Sequence, residues 1–189
     1  MNVLKKYRED IESARRRVLV GSRLAETDRG AVEHVVSGEG LPVLWVHGIV
    51  GGADQGPLMS SAFLGEGFRV LSVSRFGYLR SPLPTDGTPA AQADVYAALL
   101  DRLGIDAAAL VGSSAGGPSA LQFALRHRSR CSALALWSMA VPGAGGLPGA
   151  LRPALRAFFG SDFLQWTIAR FWPTLMLGIM GVPKAVQGA

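Results

Sequence analysis

The eleven residues from Ala108 to Pro118 constrain this chain more than any other stretch. Leu110 and Val111 end an apolar run too short for a helix, and Pro118 suits a first helical turn, where its missing N–H has no bond to make. Between them lies Gly112-x-Ser114-x-Gly116. A serine between glycines at a strand-to-helix turn is a nucleophile elbow, in which the glycines allow the two backbones to approach closely. The Ser114 hydroxyl is then expected above the sheet, at the positive end of the following helix. A chance Gly/Ser loop is the plainer alternative, but it does not account for the strand before and the helix start after.

A chain of 189 residues, 49% hydrophobic, with a mean hydropathy of +0.26, has the material for one well-buried domain. The net charge of +5 sits at the ends. Residues 1–30 hold eight Lys/Arg against five Asp/Glu, and the residues after 140 hold four against one. Neither end interleaves aromatics with a dense basic run, so no nucleic-acid partner is expected. Cys131, the lone cysteine, lies in an apolar run and is expected as a buried core thiol. No Cys/His cluster has metal-ligand spacing, and no metal or cofactor is expected. Lys5 and Lys6 lead into Glu9, Asp10 and Glu12 rather than an apolar signal core, which reads as cytoplasmic. Phe163 to Val182 has a membrane-spanning length, but Gln165, Arg170 and Pro173 interrupt it. That segment reads as covering helices.

Leu4, Tyr7, Ile11, Ala14 and Val18 fall on one face of a helix, and residues 1–28 read as an amphipathic helical segment. Ala31–Val36, Pro42–Val46 and Phe68–Val73 read as strands, Val95 to Leu103 as a helix ended by Gly104, and Cys131–Trp137 as another buried strand. Strands alternating with helices imply a mainly parallel sheet whose chemistry gathers at the strand carboxyl ends. His47-Gly48 and Ser114 both belong there. After Pro142 the glycines at 143, 145, 146 and 149 suggest a hinge, followed by apolar helices with Ser161 as an N-cap.

On His47-Gly48-Ile49, Arg75-Phe76-Gly77-Tyr78 and Gly112-Ser113-Ser114-Ala115-Gly116-Gly117, the chain resembles the α/β-hydrolase superfamily from about Arg29 to Trp137. The resemblance implies an α/β fold with a parallel sheet flanked by helices: a core over 29–140, then the start of a helical cap over 141–189. It makes Ser114 the nucleophile, Ile49 and Ala115 the oxyanion-hole donors, His47 and Gly48 the support of the oxyanion loop, and Gly112 and Gly116 the elbow glycines. A serine at the elbow also points away from the aspartate-nucleophile relatives, such as epoxide hydrolases and haloalkane dehalogenases.

The family takes its acid and its histidine base late in the chain, and neither is matched here. His127 should end the elbow helix, about thirteen residues or roughly 20 Å along. His47 lies nearer, but in the family it shapes the loop. Asp162 falls in the cap-like segment. The expectation is therefore the amino-terminal portion of a hydrolase that lacks its carboxyl-terminal strands and is catalytically incomplete, with Cys131–Trp137 as an open apolar sheet edge. The substrate class implied is a small hydrophobic ester or similar acyl compound, taken through an acyl-enzyme on Ser114. A non-catalytic binding or regulatory module that keeps the fold is the alternative, and contact with a membrane surface is a third and weaker one.

Overall fold

In the computed structural model residues 2–139 and 152–179 are described. They divide into two compact units, one of residues 14–139 and one of residues 2–13 with 152–179. The Gly/Pro stretch expected as a hinge falls among residues 140–151, and Val182 beyond 179, so both lie outside the described residues.

The larger unit is a six-stranded sheet in the order β1-β2-β4-β3-β5-β6. Its strands are β1 (Arg23–Thr27), β2 (Gly30–Ser37), β3 (Leu41–Val46), β4 (Phe68–Val73), β5 (Ala108–Ser113) and β6 (Cys131–Trp137). β1 pairs with β2, and β2 with β4, in antiparallel fashion; the other three pairings are parallel. Val43, Leu44, Trp45 and Val46 of β3 are all buried, as expected of a continuous apolar run covered on both faces. On one face Leu44, Val46, Leu71, Val73 and Leu110 pack against α3 (Pro89–Arg102) and α4 (Gly117–Arg126). Val43, Trp45 and Val70 on the other meet Met59 of α2 (Gln55–Phe63).

α3 begins earlier than the apolar spacing from Val95 suggests. Thr88 caps it by accepting from the Ala91 N–H at 3.2 Å, and Pro89 opens the first turn. It buries Val95, Tyr96, Leu99 and Leu100 completely or nearly so.

Chain direction explains where the site forms. From β3 the chain crosses to β4 on one side, and from β5 it crosses to β6 on the other. The loops leaving β3 and β5 diverge to opposite sides of the sheet, the topological switch point at which such sheets place their sites. The register pairs Val46 with Gly112, which places His47-Gly48-Ile49 beside Ser113-Ser114-Ala115.

Three expectations need correction. β6 is not a buried strand: Cys131 and Leu134 are half-buried, and Ser132, Ala133, Ala135, Leu136 and Trp137 are exposed. Its apolar composition matches a covered strand, but among the described residues it pairs only with β5 and forms the open apolar sheet edge expected where the carboxyl-terminal strands are missing. Cys131 is accordingly half-buried and not a core thiol. β1 also departs from a purely helical reading of residues 1–28, because the helix α1 (Val3–Val18) ends before it and Arg23–Thr27 pairs with β2.

The second unit is helical. It contains the start of α1 together with α5 (Arg152–Phe159), α6 (Asp162–Phe171) and α7 (Pro173–Ile179). The Tyr7 ring meets Phe163 and Trp166 edge-on at 5.0 and 5.5 Å, and the Trp166 indole N–H donates to Asp10 at 3.1 Å. Ser161 caps α6 as expected, accepting from the Leu164 N–H. No helix among the described residues is long and apolar enough to cross a membrane.

Candidate active site

Ser114 follows β5 with φ +46°, a left-handed conformation that a non-glycine residue adopts only when its surroundings hold it there. The close packing around it requires each neighbouring glycine. A Cβ on Gly112 would stand 2.7 Å from the Ala120 Cβ and 3.0 Å from the Gly117 Cα. One on Gly116 would stand 2.5 Å from the carbonyl oxygens of both Val46 and His47. The elbow is thus wedged between its own helix and the end of β3. Ala115 lies in the short 3-10 turn that opens the helix, where N–H groups lack an intrahelical acceptor.

On the facing loop, a Cβ on Gly48 would come within 3.3 Å of the Ser114 Cβ, so the backbones of the two loops run side by side. Ile49 is half exposed, and its N–H makes no hydrogen bond among the described residues.

His47 is fully buried beneath this loop. Its Nε2 accepts from the Arg75 backbone N–H at 3.0 Å, so the ring proton is on Nδ1, which donates to the Gly48 carbonyl at 2.7 Å. Burial, and then the Arg75 charge, push its pKa down to about 4. The ring is neutral, with both nitrogens occupied. It supports the loop and is not free to take a proton from Ser114.

Arg75 and Tyr78, whose sequence pattern carries no role of its own, turn out to bind the two loops together. The guanidinium donates from Nη1 to the Ala115 carbonyl at 3.2 Å and from Nη2 to the Gly48 carbonyl and the Tyr78 hydroxyl, both at 3.0 Å. Tyr78 in turn donates to the Ile49 carbonyl at 3.0 Å and lays its ring under the guanidinium.

A second group the sequence does not single out is Glu33, fully buried on β2. Its carboxylate accepts from Ser22, from Ser74 at 2.7 Å and from the Arg80 Nε at 2.9 Å. Against the cost of burial, these hydrogen bonds hold its pKa below the usual carboxylate value. Ser74 also accepts from the Ala53 N–H at 2.9 Å, so the Glu33 cluster reaches the far end of the loop that contains Ile49. A glutamate between Val32 and His34 on a strand gives no sign of this in sequence.

The other two histidines stand elsewhere. His127 ends α4, with Nε2 on Asp94 at 2.9 Å beside the Arg126–Asp94 pair. His34 is buried on β2, where burial lowers its pKa. Asp162 begins α6. Among the described residues of the sheet unit, no histidine is hydrogen-bonded to the Ser114 hydroxyl.

Parallel strands whose diverging loops set a left-handed serine beside a glycine-bearing loop have the architecture of an α/β-hydrolase fold. The family model for the alpha/beta hydrolase fold matches residues 42–176, and the chain belongs to that family. It is 32% identical over 111 residues to an uncharacterized hydrolase, YcgS, of Bacillus subtilis, covering 59% of this chain and 39% of that protein. It is 35% identical over 102 residues to the 2-hydroxymuconate semialdehyde hydrolase of Pseudomonas putida, covering 52% and 36%. Among solved structures, an alpha/beta hydrolase fold protein from Nakamurella multipartita superposes with a TM-score of 0.59 at 37% identity, covering 74% of this chain and 52% of its own. The chain therefore spans less than two fifths of the length of these curated relatives.

Proposed function

We propose that this chain takes part in hydrolysis of a hydrophobic ester or similar acyl substrate, with Ser114 as the nucleophile. The observation that carries the reading is the Ser114 backbone, held left-handed by glycines that are sterically obligatory. The Oγ would attack the carbonyl carbon, forming the acyl–oxygen bond as its proton leaves to a base. Negative charge then develops on the carbonyl oxygen, opposed by the N–H groups of Ile49 and Ala115. Collapse of the tetrahedral species expels the leaving group, which takes up that proton from the base, and water then cleaves the acyl–Oγ bond to release the acid and restore the serine hydroxyl. Family membership and the hydrolase names of the relatives support the reaction class. Half-exposed Ile49 beside the serine supports an apolar acyl group.

The base is the open part of this mechanism. His47 and His127 are hydrogen-bonded away from the Ser114 hydroxyl and His34 is buried on β2, so we expect turnover by the 189 residues to be slow. The same observation favours a second reading, a binding module that keeps the fold without catalysis. Hydrolysis of an activated aryl ester by the chain, compared with Ser114→Ala, separates the two. A rate that falls to background in Ser114→Ala supports the nucleophile; equal rates in both proteins support the binding module.

A further inference from the structure

We propose that Arg75 is a positioning residue that aims and polarises the Ile49 N–H. The inference rests on the Ser114 reading and extends it to the preparation of the oxyanion site. The Gly48 carbonyl and the Ile49 N–H belong to one peptide unit, and in a trans unit they point in opposite directions. Whatever fixes the Gly48 oxygen therefore fixes the direction of the Ile49 N–H. That oxygen accepts from the Arg75 Nη2 at 3.0 Å and from the His47 Nδ1 at 2.7 Å. Two donors on one carbonyl draw electron density toward the oxygen and strengthen the N–H at the other end as a donor. One of these donors is charged, and among the described residues no carboxylate forms an ion pair with it.

The same guanidinium sets the position of the second loop. Its Nη1 holds the Ala115 carbonyl at 3.2 Å, so one planar fork spans the loop after β3 and the turn after β5. Tyr78 fixes the following peptide through the Ile49 carbonyl, and its hydroxyl accepts from the same guanidinium. Arg75 is itself anchored, since its backbone N–H donates to the His47 ring. A lysine at this position would keep the charge, but its single ammonium lacks the fork that reaches both carbonyls. Arg75 touches no reacting atom; it acts through the two loops.

The test uses a fluorophosphonate, which loads the P=O oxygen with negative charge as it reacts with serine. Reaction with the full chain is followed by intact mass over a range of reagent concentrations, giving a binding constant and a maximal inactivation rate for wild type, Arg75→Met and Arg75→Lys. Thermal melts establish that each variant is folded. The expected result for Arg75→Met is a maximal rate lower by about tenfold to a hundredfold, with the binding constant within about twofold of wild type, on the scale of losing or misaiming one oxyanion donor. Arg75→Lys should recover only part of that loss. If Arg75→Met reacts as fast as wild type, the proposal is overturned while the Ser114 reading stands. A fully wild-type rate in Arg75→Lys overturns the two-carbonyl fork, because charge alone would then suffice. If wild type itself does not react, the Ser114 reading fails and the proposal fails with it. Should Arg75→Met not fold, a maximal-rate loss in Arg75→Lys at unchanged binding still supports the fork.

Discussion

Acid should weaken this fold through His47, and the size of the effect follows from its surroundings. The ring is fully buried, neutral and bonded at both nitrogens, with its pKa pushed down to about 4 from an ordinary 6.5. In the unfolded chain the same ring takes up a proton near its ordinary value. Between these two values the unfolded state binds more protons than the folded one, so stability rises with pH and is lost as pH falls. The window runs from about 6.5 down to about 4, and each unit in it is worth about 1.4 kcal/mol. At pH 4.5 the accumulated loss is about 2–3 kcal/mol relative to pH 7.5. His47→Gln has no titrating ring. At pH 7.5 it should be less stable than wild type by about 1–3 kcal/mol, because the Arg75 N–H and the Gly48 carbonyl each lose a partner. At pH 4.5 that gap should shrink by about the titration loss, 2–3 kcal/mol. Urea unfolding of both proteins at the two pH values measures it. His34, also lowered by burial, contributes with the same sign to both proteins and cancels in the difference. A gap that stays constant between the two pH values would refute a buried, neutral His47.

Three further substitutions probe the framework. Ser114→Gly should stabilise the chain by about 1 kcal/mol in thermal or urea unfolding, because glycine adopts φ +46° without the strain that serine carries there; unchanged or lower stability would show that the elbow is unstrained. Gly116→Ala should cost about 3 kcal/mol by the same assay, since its Cβ meets two backbone oxygens that cannot swing aside. Glu33→Gln should cost about 3 kcal/mol, as it leaves Arg80 and the serine hydroxyls around a neutral group; the loss should be largest near neutral pH and shrink in acid, where the depressed carboxyl of wild type is protonated too.

What could be read from the sequence was whatever local sterics write into it. Gly112, Ser114, Gly116 and Pro118 announce a strand-turn-helix because each position tolerates few residues there, and the structure gives each its steric reason. Central strands such as β3 declare themselves by unbroken apolar runs. β6 misleads for the same reason: its residues suit a covered strand, but burial depends on what lies beside it. β1 is five residues with one buried side chain, too short an alternation to stand out. The Arg75 fork joins positions 27 and 40 residues apart in sequence, and the Glu33 cluster joins Ser22 to Arg80. Such contacts exist only once the register of β3, β4 and β5 is set, and no local pattern encodes them.

Ser114 is the residue proposed to accept the acyl group. The most direct measurement is to mix the chain with an activated aryl ester, quench in acid within the first turnover, and locate the added acyl mass by peptide mapping. One acyl group is expected, on Ser114, and none in Ser114→Ala. An unmodified Ser114 peptide with aryl ester still being consumed, or acyl mass at another residue, would contradict it.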